Sequence, residues 1–253
     1  MLDSSVGAGG AWARCYPARG ITIARIDLMT TTQLNHLGEG LYERDEPGSI
    51  LGMPIGHRMT VVRLSPEAGG GLWLHSPVAW TPELWAELEG LAPPDEPRHL
   101  VIPSRTHDLH LGPWMERIPA ATTYAPAALL KAHPDWQVDG ILADQREFVW
   151  TPDVRHQGLR GAPRVSEVDF LHHATKTLIL TDVVFHLTAP RRGLGALLLK
   201  LNGCPPDICT TRMFRAMIKD RRSFGASIAS MLRWDFERVL VGHGAVIEGE
   251  LVD

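Results

Sequence analysis

Three short stretches, at residues 106–110, 177–182 and 241–244, carry the side chains with the clearest chemistry in this chain. Each one places a histidine or an aspartate where an apolar run gives way to a turn. Imidazole and carboxylate groups are common ligands of divalent metals. Because the stretches lie far apart in sequence, only a fold that gathers several strand ends at one edge could unite them. The pattern therefore predicts a metal site at the end of a sheet.

Four side chains in these stretches are predicted to bind the ion. His107 and His110 stand three residues apart, which at the start of a helix lets both imidazoles face one metal. Asp182 ends a near-continuous apolar strand, where a carboxylate must be metal-bound, solvated or paired with an arginine. His243 stands between two glycines, which let the backbone approach closely and aim the ring out of the sheet end. For each histidine the alternative is an ordinary turn or surface histidine.

Other ionisable side chains near these strand ends are further candidates. His172 and His173 are adjacent in a predicted strand and face opposite ways, so we predict His172 alone as one more ligand. Asp108 could activate a metal-bound water or act as an N-cap, and with Asp182 it completes the predicted catalytic carboxylates. For His75, a buried and hydrogen-bonded role is favoured over a role in the site.

The apolar periodicity predicts the elements that position these residues. Residues 58–64 alternate and are β-branched, and with residues 72–75 they predict a hairpin across a glycine turn. Thr81 and Pro82 predict the start of a helix. A second hairpin is predicted across residues 174–176, between strands at 165–172 and 177–181. Further strands are predicted at 99–103 and 238–241, and helices at 193–201, 210–219 and 223–232.

Composition limits the function classes. Hydrophobic residues at 44% and charged residues at 21% are ordinary for a globular chain, and one domain is expected over residues 29–253, after a flexible extension at residues 1–28. A net charge of −4 predicts neither a nucleic-acid nor a membrane partner, and no apolar run is long enough for a transmembrane helix. The three cysteines are predicted to be free thiols, which favours the cytoplasm. The expected partner is a small-molecule substrate, and a homodimer is compatible with the sequence.

The first stretch, with the strand-ending aspartate and the late Gly-His turn, resembles the metallo-β-lactamase superfamily. The first motif of that superfamily is His-x-His-x-Asp-His after a buried strand. Aligned on His110, the motif places His107 at its second histidine, whereas Arg105 and Leu109 stand at the first histidine and at the aspartate. Residues 58–64, 72–77 and 234–236 look like an uncharacterised bacterial branch of the superfamily.

The later motifs of the superfamily match in part. Thr181 and Asp182 correspond to its Gly-Asp element, with threonine for glycine, and Gly242 and His243 correspond to its last Gly-His without change. Residues 161–163, Gly-Ala-Pro, occupy the place of its middle histidine. The metal motif is therefore degenerate.

The resemblance implies an α/β fold, a four-layer αββα sandwich with a metal site at one edge of its two sheets. It implies a metal-dependent hydrolase in which a metal-activated water attacks an ester, lactone, thioester, amide or phosphodiester. Zinc is the expected metal, iron and manganese are also compatible, and a mononuclear site is expected because Leu109 replaces the aspartate. The alternatives are a non-hydrolytic binding or scaffold protein on the same fold and a redox iron site.

Overall fold

The computed structural model describes residues 33–143, 146–188, 193–204 and 208–248. The extension predicted at residues 1–28 lies outside these ranges. Within them, two β-sheets pack face to face, and helices cover the outer face of each sheet. This arrangement confirms the predicted four-layer α/β sandwich.

The first sheet has seven strands, and a separate short hairpin precedes its third strand. The strands of the first half of the chain are β1 Asn35–Gly38, β2 Leu41–Glu46, β3 Ser49–Ile50, β4 Met53–Pro54, β5 His57–Arg63, β6 Leu72–His75, β7 Arg98–Val101, β8 Thr122–Ala125 and β9 Gly140–Ile141. The order in the sheet is β1-β2-β5-β6-β7-β8-β9, while β3 pairs with β4 alone. The predicted hairpin is the antiparallel pair β5–β6, and strands β6 to β9 run parallel.

The second sheet has five strands in the order β10-β11-β12-β15-β16. The strands of the second half are β10 Val154–Gly158, β11 Val168–His172, β12 Thr177–Ile179, β13 Phe185–His186, β14 Ile208–Cys209, β15 Arg238–Leu240 and β16 Ile247–Glu248. The second predicted hairpin is the antiparallel pair β11–β12, and β15 joins β12 in parallel. Strands β13 and β14 pair with each other outside this sheet.

Six α-helices lie within the described ranges, and a one-turn 3-10 helix spans Pro66–Ala68. The α-helices are α1 Pro82–Leu91, α2 Leu111–Arg117, α3 Ala127–Leu130, α4 Gly193–Leu201, α5 Arg212–Met217 and α6 Arg221–Met231. The Thr81 side chain caps α1 by accepting from the Leu84 amide at 3.2 Å, as predicted.

Alternation along the central strands sorts their side chains between the layers. In β5, Val62 packs into the core between the sheets, while its neighbour Val61 packs against α1 and α2 on the outer face. In β11, Phe170 faces the inter-sheet core and Leu171 faces α5 and α6. Successive strand residues point to opposite faces, so these apolar runs bury both faces of each sheet.

The structure corrects the cysteine prediction. Cys204 and Cys209 form a disulfide, with Cα atoms 5.4 Å apart, so the prediction of free thiols was wrong for this pair. The pairing of β14 with β13 places Cys209 beside the end of α4, a tertiary arrangement that the spacing of the two residues did not reveal. The cytoplasmic location depended on free thiols and stays a prediction. None of the described helices combines the length and apolarity needed to cross a bilayer.

Candidate metal centre

Three strand ends meet at one edge of the sandwich. His107 follows β7 of the first sheet, and Asp182 and His243 follow the neighbouring parallel strands β12 and β15 of the second. Because β12 and β15 are parallel, their carboxyl ends lie side by side. The loop after β7 is tied to the second sheet by two backbone hydrogen bonds, from Arg105 N to Val165 O at 2.9 Å and from Val168 N to Pro103 O at 2.8 Å.

The three side chains form a compact cluster of potential metal ligands. One ligand atom from each of His107, Asp182 and His243 lies within 4.8 Å of the other two. Asp182 Oδ2 is 3.6 Å from His107 Nε2, and Asp182 Oδ1 is 3.3 Å from His243 Nε2. Both imidazoles are 1% exposed, whereas the carboxylate is 16% exposed, so the cluster opens to solvent on the side of the aspartate.

The hydrogen bonding of His243 tests whether a cation fits between these groups. Nδ1 of His243 donates to the Gly56 carbonyl at 2.8 Å, which in a neutral ring leaves a lone pair on Nε2. That Nε2 is buried and makes no hydrogen bond within the described residues, although it faces Asp182 Oδ1. A lone pair facing a carboxylate oxygen is repulsive unless a proton or a metal ion lies between the two atoms. The donor set therefore fits a divalent metal held by two imidazoles and one carboxylate.

Ser76, directly after β6, orients His107 through a hydrogen bond. The Nδ1 of His107 lies 2.7 Å from the Ser76 hydroxyl. When Nδ1 donates in this pair, the lone pair of Nε2 faces Asp182, as metal ligation requires. The backbone of Ser76 has φ of +52°, a left-handed conformation that is uncommon for a non-glycine residue. Strain of this kind is tolerated where the surrounding contacts hold a side chain in a required position.

Asp182 is held by its backbone as well as by its side chain. The amides of Thr181 and Asp182 donate to the two oxygens of the Glu167 carboxylate at 2.7 and 3.1 Å. The Thr106 hydroxyl donates to Asp182 Oδ2. Burial raises the pKa of Asp182, but its hydrogen bonds and electrostatic interactions with the His107 and His243 rings lower it well below its ordinary value. The aspartate is thus an anion that faces two imidazoles.

The turn that carries His243 is hydrogen-bonded to the start of β5. The Arg58 amide donates to the Gly242 carbonyl at 3.0 Å, and the Arg58 guanidinium donates to the Val241 carbonyl at 2.7 Å. The same guanidinium donates to Glu43 at 2.9 Å, and both side chains are buried. A Cβ on Gly242 would lie 2.9 Å from His107 Cε1, so only glycine fits where the two loops meet.

Sequence reasoning missed His57. Its ring stacks on His107 with centroids 5.0 Å apart and lies 6.0 Å from His110 and 6.4 Å from His243. Its Nε2 donates to the Ser76 carbonyl at 3.2 Å. Burial, with the nearby His107 ring, holds the pKa of His57 well below its ordinary value, so this imidazole is neutral at pH 7. The sequence did carry a signal for His57, because this histidine stands at the start of the apolar strand β5. The predicted site residues stand at the other end of their strands.

Two of the predicted site residues lie near the cluster without joining it. His110 occupies the N-cap position of α2 and contacts the edge of His57, outside the three-ligand group found among the described residues. Asp108 accepts from His133 Nε2 at 2.7 Å, and the His133 ring stacks on Trp136 at 3.8 Å. Asp108 is therefore held by the α3 region rather than directed at Asp182.

His172 lies at the far end of the second sheet. It pairs with Thr177 at the start of β12, whereas Asp182 lies beyond the opposite end of that strand. Its Nδ1 contacts the Thr175 hydroxyl at 2.8 Å. The structure thus separates His172 from the cluster, because an antiparallel hairpin places residues beside its turn away from those at its open end. His75 is buried against Trp73 with ring centroids 5.2 Å apart, as predicted, but neither of its ring nitrogens has a hydrogen-bond partner among the described residues, so the hydrogen-bonded part of that prediction was wrong.

Residues 40–192 match the family model described as Domain of unknown function (DUF4336). The chain belongs to this DUF4336 family. The matched region includes His107 and Asp182, while His243 lies beyond it. A comparison with curated proteins gives no match.

The solved structures similar to this DUF4336 protein include metallo-β-lactamases and an oxidoreductase. The DIM-1 metallo-β-lactamase exposed to ceftazidime superimposes with a TM-score of 0.59 at 15% identity, over 87% of this chain and 92% of that one. A metallo-β-lactamase from Pontibacter korlensis gives 0.56 at 17% identity, over 87% and 94%. Rubredoxin oxygen:oxidoreductase from Desulfovibrio gigas gives 0.57 at 16% identity, over 86% of this chain and 58% of that one. At these identities the likeness shows the fold, which confirms the predicted metallo-β-lactamase-like architecture.

Proposed function

We propose that this DUF4336 protein is a metal-dependent hydrolase with a single divalent ion held by His107, Asp182 and His243. The observation that carries the proposal is the unpartnered His243 Nε2 facing Asp182 at 3.3 Å, with His107 completing the group. Three protein ligands that leave a position open are typical of catalytic rather than structural zinc sites. Zinc is the metal we expect, since the set is two nitrogens and one oxygen; iron and manganese accept the same ligands.

The bound metal would supply Lewis acidity and lower the pKa of a coordinated water. The protein's own part is to fix the ligands: Gly56 and Ser76 orient the two imidazoles, and Glu167 holds the backbone at Asp182. His57 supports the ligands from the side: its ring stacks on His107, and its Nε2 donates to the Ser76 carbonyl. An ester, lactone, thioester, amide or phosphodiester remains the expected substrate class.

Metal analysis of the protein purified without added metal or chelator tests the proposal directly. We expect about one equivalent of a divalent metal in the wild type, and a large loss in the His243→Ala and His107→Ala variants. His172→Ala is the matched control, since this buried histidine lies at the other end of the sheet and should leave the metal content unchanged. Less than about 0.2 equivalents in the wild type, unchanged by His107→Ala, would refute metal binding.

Hydrolysis is tested separately on chromogenic esters, lactones, thioesters and phosphodiesters. We expect the metal-loaded wild type to turn over at least one class, and His107→Ala to lose that activity together with its metal. A metal-loaded protein that hydrolyses none of these would contradict the hydrolase proposal. About one equivalent of iron that changes oxidation state reversibly would then support the redox alternative, and a metal-free fold would support the binding or scaffold alternative.

A further inference from the structure

The exposed apolar side chains of this protein are concentrated on one surface. Nine large hydrophobic side chains are exposed within the described residues, and seven of them belong to the β3–β4 hairpin, α4, β14 and α5. We call this surface the α4 face. Its apolar members are Ile50, Leu51, Leu194, Leu197, Leu201, Ile208 and Met213. Single exposed leucines are ordinary on a soluble domain, but a contiguous group of this size marks an interaction surface.

The segments of the α4 face are physically joined. Gly195 of α4 packs against Pro54 of the hairpin, and Leu198 packs against Gly52. Beyond the end of α4, Asn202 accepts from the amides of Arg212 and Met213 at 2.6 and 2.9 Å, and the disulfide binds β14 to the same turn. The segments that carry the seven side chains are therefore joined to one another.

Helix α4 presents its leucines in a regular pattern. Leu194, Leu197 and Leu201 are separated by three and four residues, so they share one face of the helix, and they are 73%, 51% and 59% exposed. Leu199 points the other way, into an apolar cluster with Phe185, and that phenylalanine ring lies 4.5 Å from His243. The helix thus buries one side beside the metal centre and exposes an apolar stripe on the other.

The charges around this stripe are positive. Residues 193–204 and 208–222 contain six basic residues and one acidic residue, Asp220, although the chain as a whole carries −4. Lys200 is exposed on α4 itself, and Arg212 is exposed and donates to the Leu201 carbonyl at the end of α4. Residues 47–56, which include the hairpin, contain no charged residue. An apolar helix face bordered by basic side chains is the pattern that binds the interface of an anionic bilayer.

We propose that the α4 face docks this protein onto anionic phospholipid membranes, with the leucines of α4 and the hairpin tip in the headgroup region. The net charge of −4 predicted no membrane partner. That value is an average over the whole chain, whereas the α4 face is locally basic. A second copy of the chain is a poorer occupant, because a twofold interface would set the same basic surface against itself. The proposal is independent of metal binding and of hydrolysis.

Vesicle flotation of the full chain tests the docking. Vesicles of phosphatidylcholine alone are compared with vesicles containing about 30% phosphatidylglycerol, at low and high salt. We expect binding to the anionic vesicles that falls at high salt. Leu194→Ser combined with Leu197→Ser should weaken it at least about tenfold, and Arg212→Gln about fivefold on anionic vesicles alone.

Matched controls use exposed residues outside the α4 face. Val149→Ser removes an exposed apolar side chain that packs near Gly69, and Lys131→Gln removes an exposed charge at the end of α3. Both controls should bind vesicles as the wild type does. Absence of binding to anionic vesicles, or equal losses in the controls and in the leucine variant, would overturn the proposal. A concentration-dependent dimer that the leucine variant abolishes, without vesicle binding, would assign the α4 face to a second copy instead.

Discussion

Replacing the buried Asp169 by asparagine should make the stability of the protein less dependent on pH. Asp169 lies on β11 with no exposed surface, and neither of its oxygens has a hydrogen-bond partner among the described residues. Burial raises the pKa of Asp169 to about 8. Glu167 lies on the same face of the strand, and burial together with the Asp169 charge raises its pKa as well. Asp169 therefore keeps a proton that the unfolded chain releases.

The magnitude follows from this difference in proton binding. In the unfolded chain an aspartate loses its proton near pH 3.9, whereas Asp169 in the folded protein keeps its proton to about pH 8. Because the folded pKa is raised, the contribution is full below about pH 4 and is lost as the pH rises toward about 8. Between pH 5 and 7 Asp169 holds about one proton more in the folded protein than in the unfolded chain. The free energy of unfolding of the wild type therefore falls by about 3 kcal/mol over this range, a loss that Asp169→Asn avoids.

Urea denaturation at pH 5 and at pH 7 measures this difference. We expect the free energy of unfolding of the variant, relative to that of the wild type, to rise by about 3 kcal/mol from pH 5 to pH 7, with similar denaturant dependence in both proteins. Asp135→Asn makes the same chemical change at an exposed position and should track the wild type within about 0.5 kcal/mol. If Asp169→Asn and the wild type change in parallel, Asp169 is ionised in the folded protein, and the reasoning from burial is refuted.

Three further substitutions test the architecture of the site. Gly242→Ala should weaken metal binding more than tenfold, because its Cβ would lie 2.9 Å from the His107 ring. A metal titration that gives the variant the affinity of the wild type would show that the two loops can move apart. Ser76→Ala should weaken metal affinity about 10- to 100-fold, because it removes the hydroxyl that orients His107. A change below twofold would contradict this orienting role of Ser76. Arg58→Met should cost about 3–5 kcal/mol in chemical denaturation because it leaves the buried Glu43 charge without its counter-ion. Adding Glu43→Leu should restore most of this loss, and no restoration would exclude the ion pair as the cause.

Local patterns were sufficient for the central strands, for helix α1 and for three of the side chains predicted to lie in the site. The strands around residues 58–64 and 72–75 and the helix at Thr81 formed as predicted, because alternation, glycine turns and N-caps act over a few residues. His107, Asp182 and His243 were found by one rule, a polar residue directly after an apolar strand. That rule did not select His57, because His57 stands at the start of β5 rather than after the end of a strand.

The remaining assignments depended on which strand ends meet. His172 satisfied the residue-type argument, but the turn of its own predicted hairpin lies between it and Asp182, and this signal was present in the sequence. Asp108 shares the predicted loop with His107, yet its partner comes from the α3 region. Residue type cannot distinguish such cases, because the direction of a loop side chain is set by tertiary neighbours.

The sequence by itself determined the central strands, the resemblance to the metallo-β-lactamase fold and the choice of the three side chains that cluster at the sheet edge. These follow from local periodicity and from polar residues that apolar runs cannot bury. Only the tertiary structure decided that Gly56, Ser76 and Glu167 orient those ligands, that Cys204 pairs with Cys209, and that the exposed leucines share one basic surface. Each of these contacts joins segments whose approach is fixed by sheet order and strand direction, which are properties of the whole packed chain.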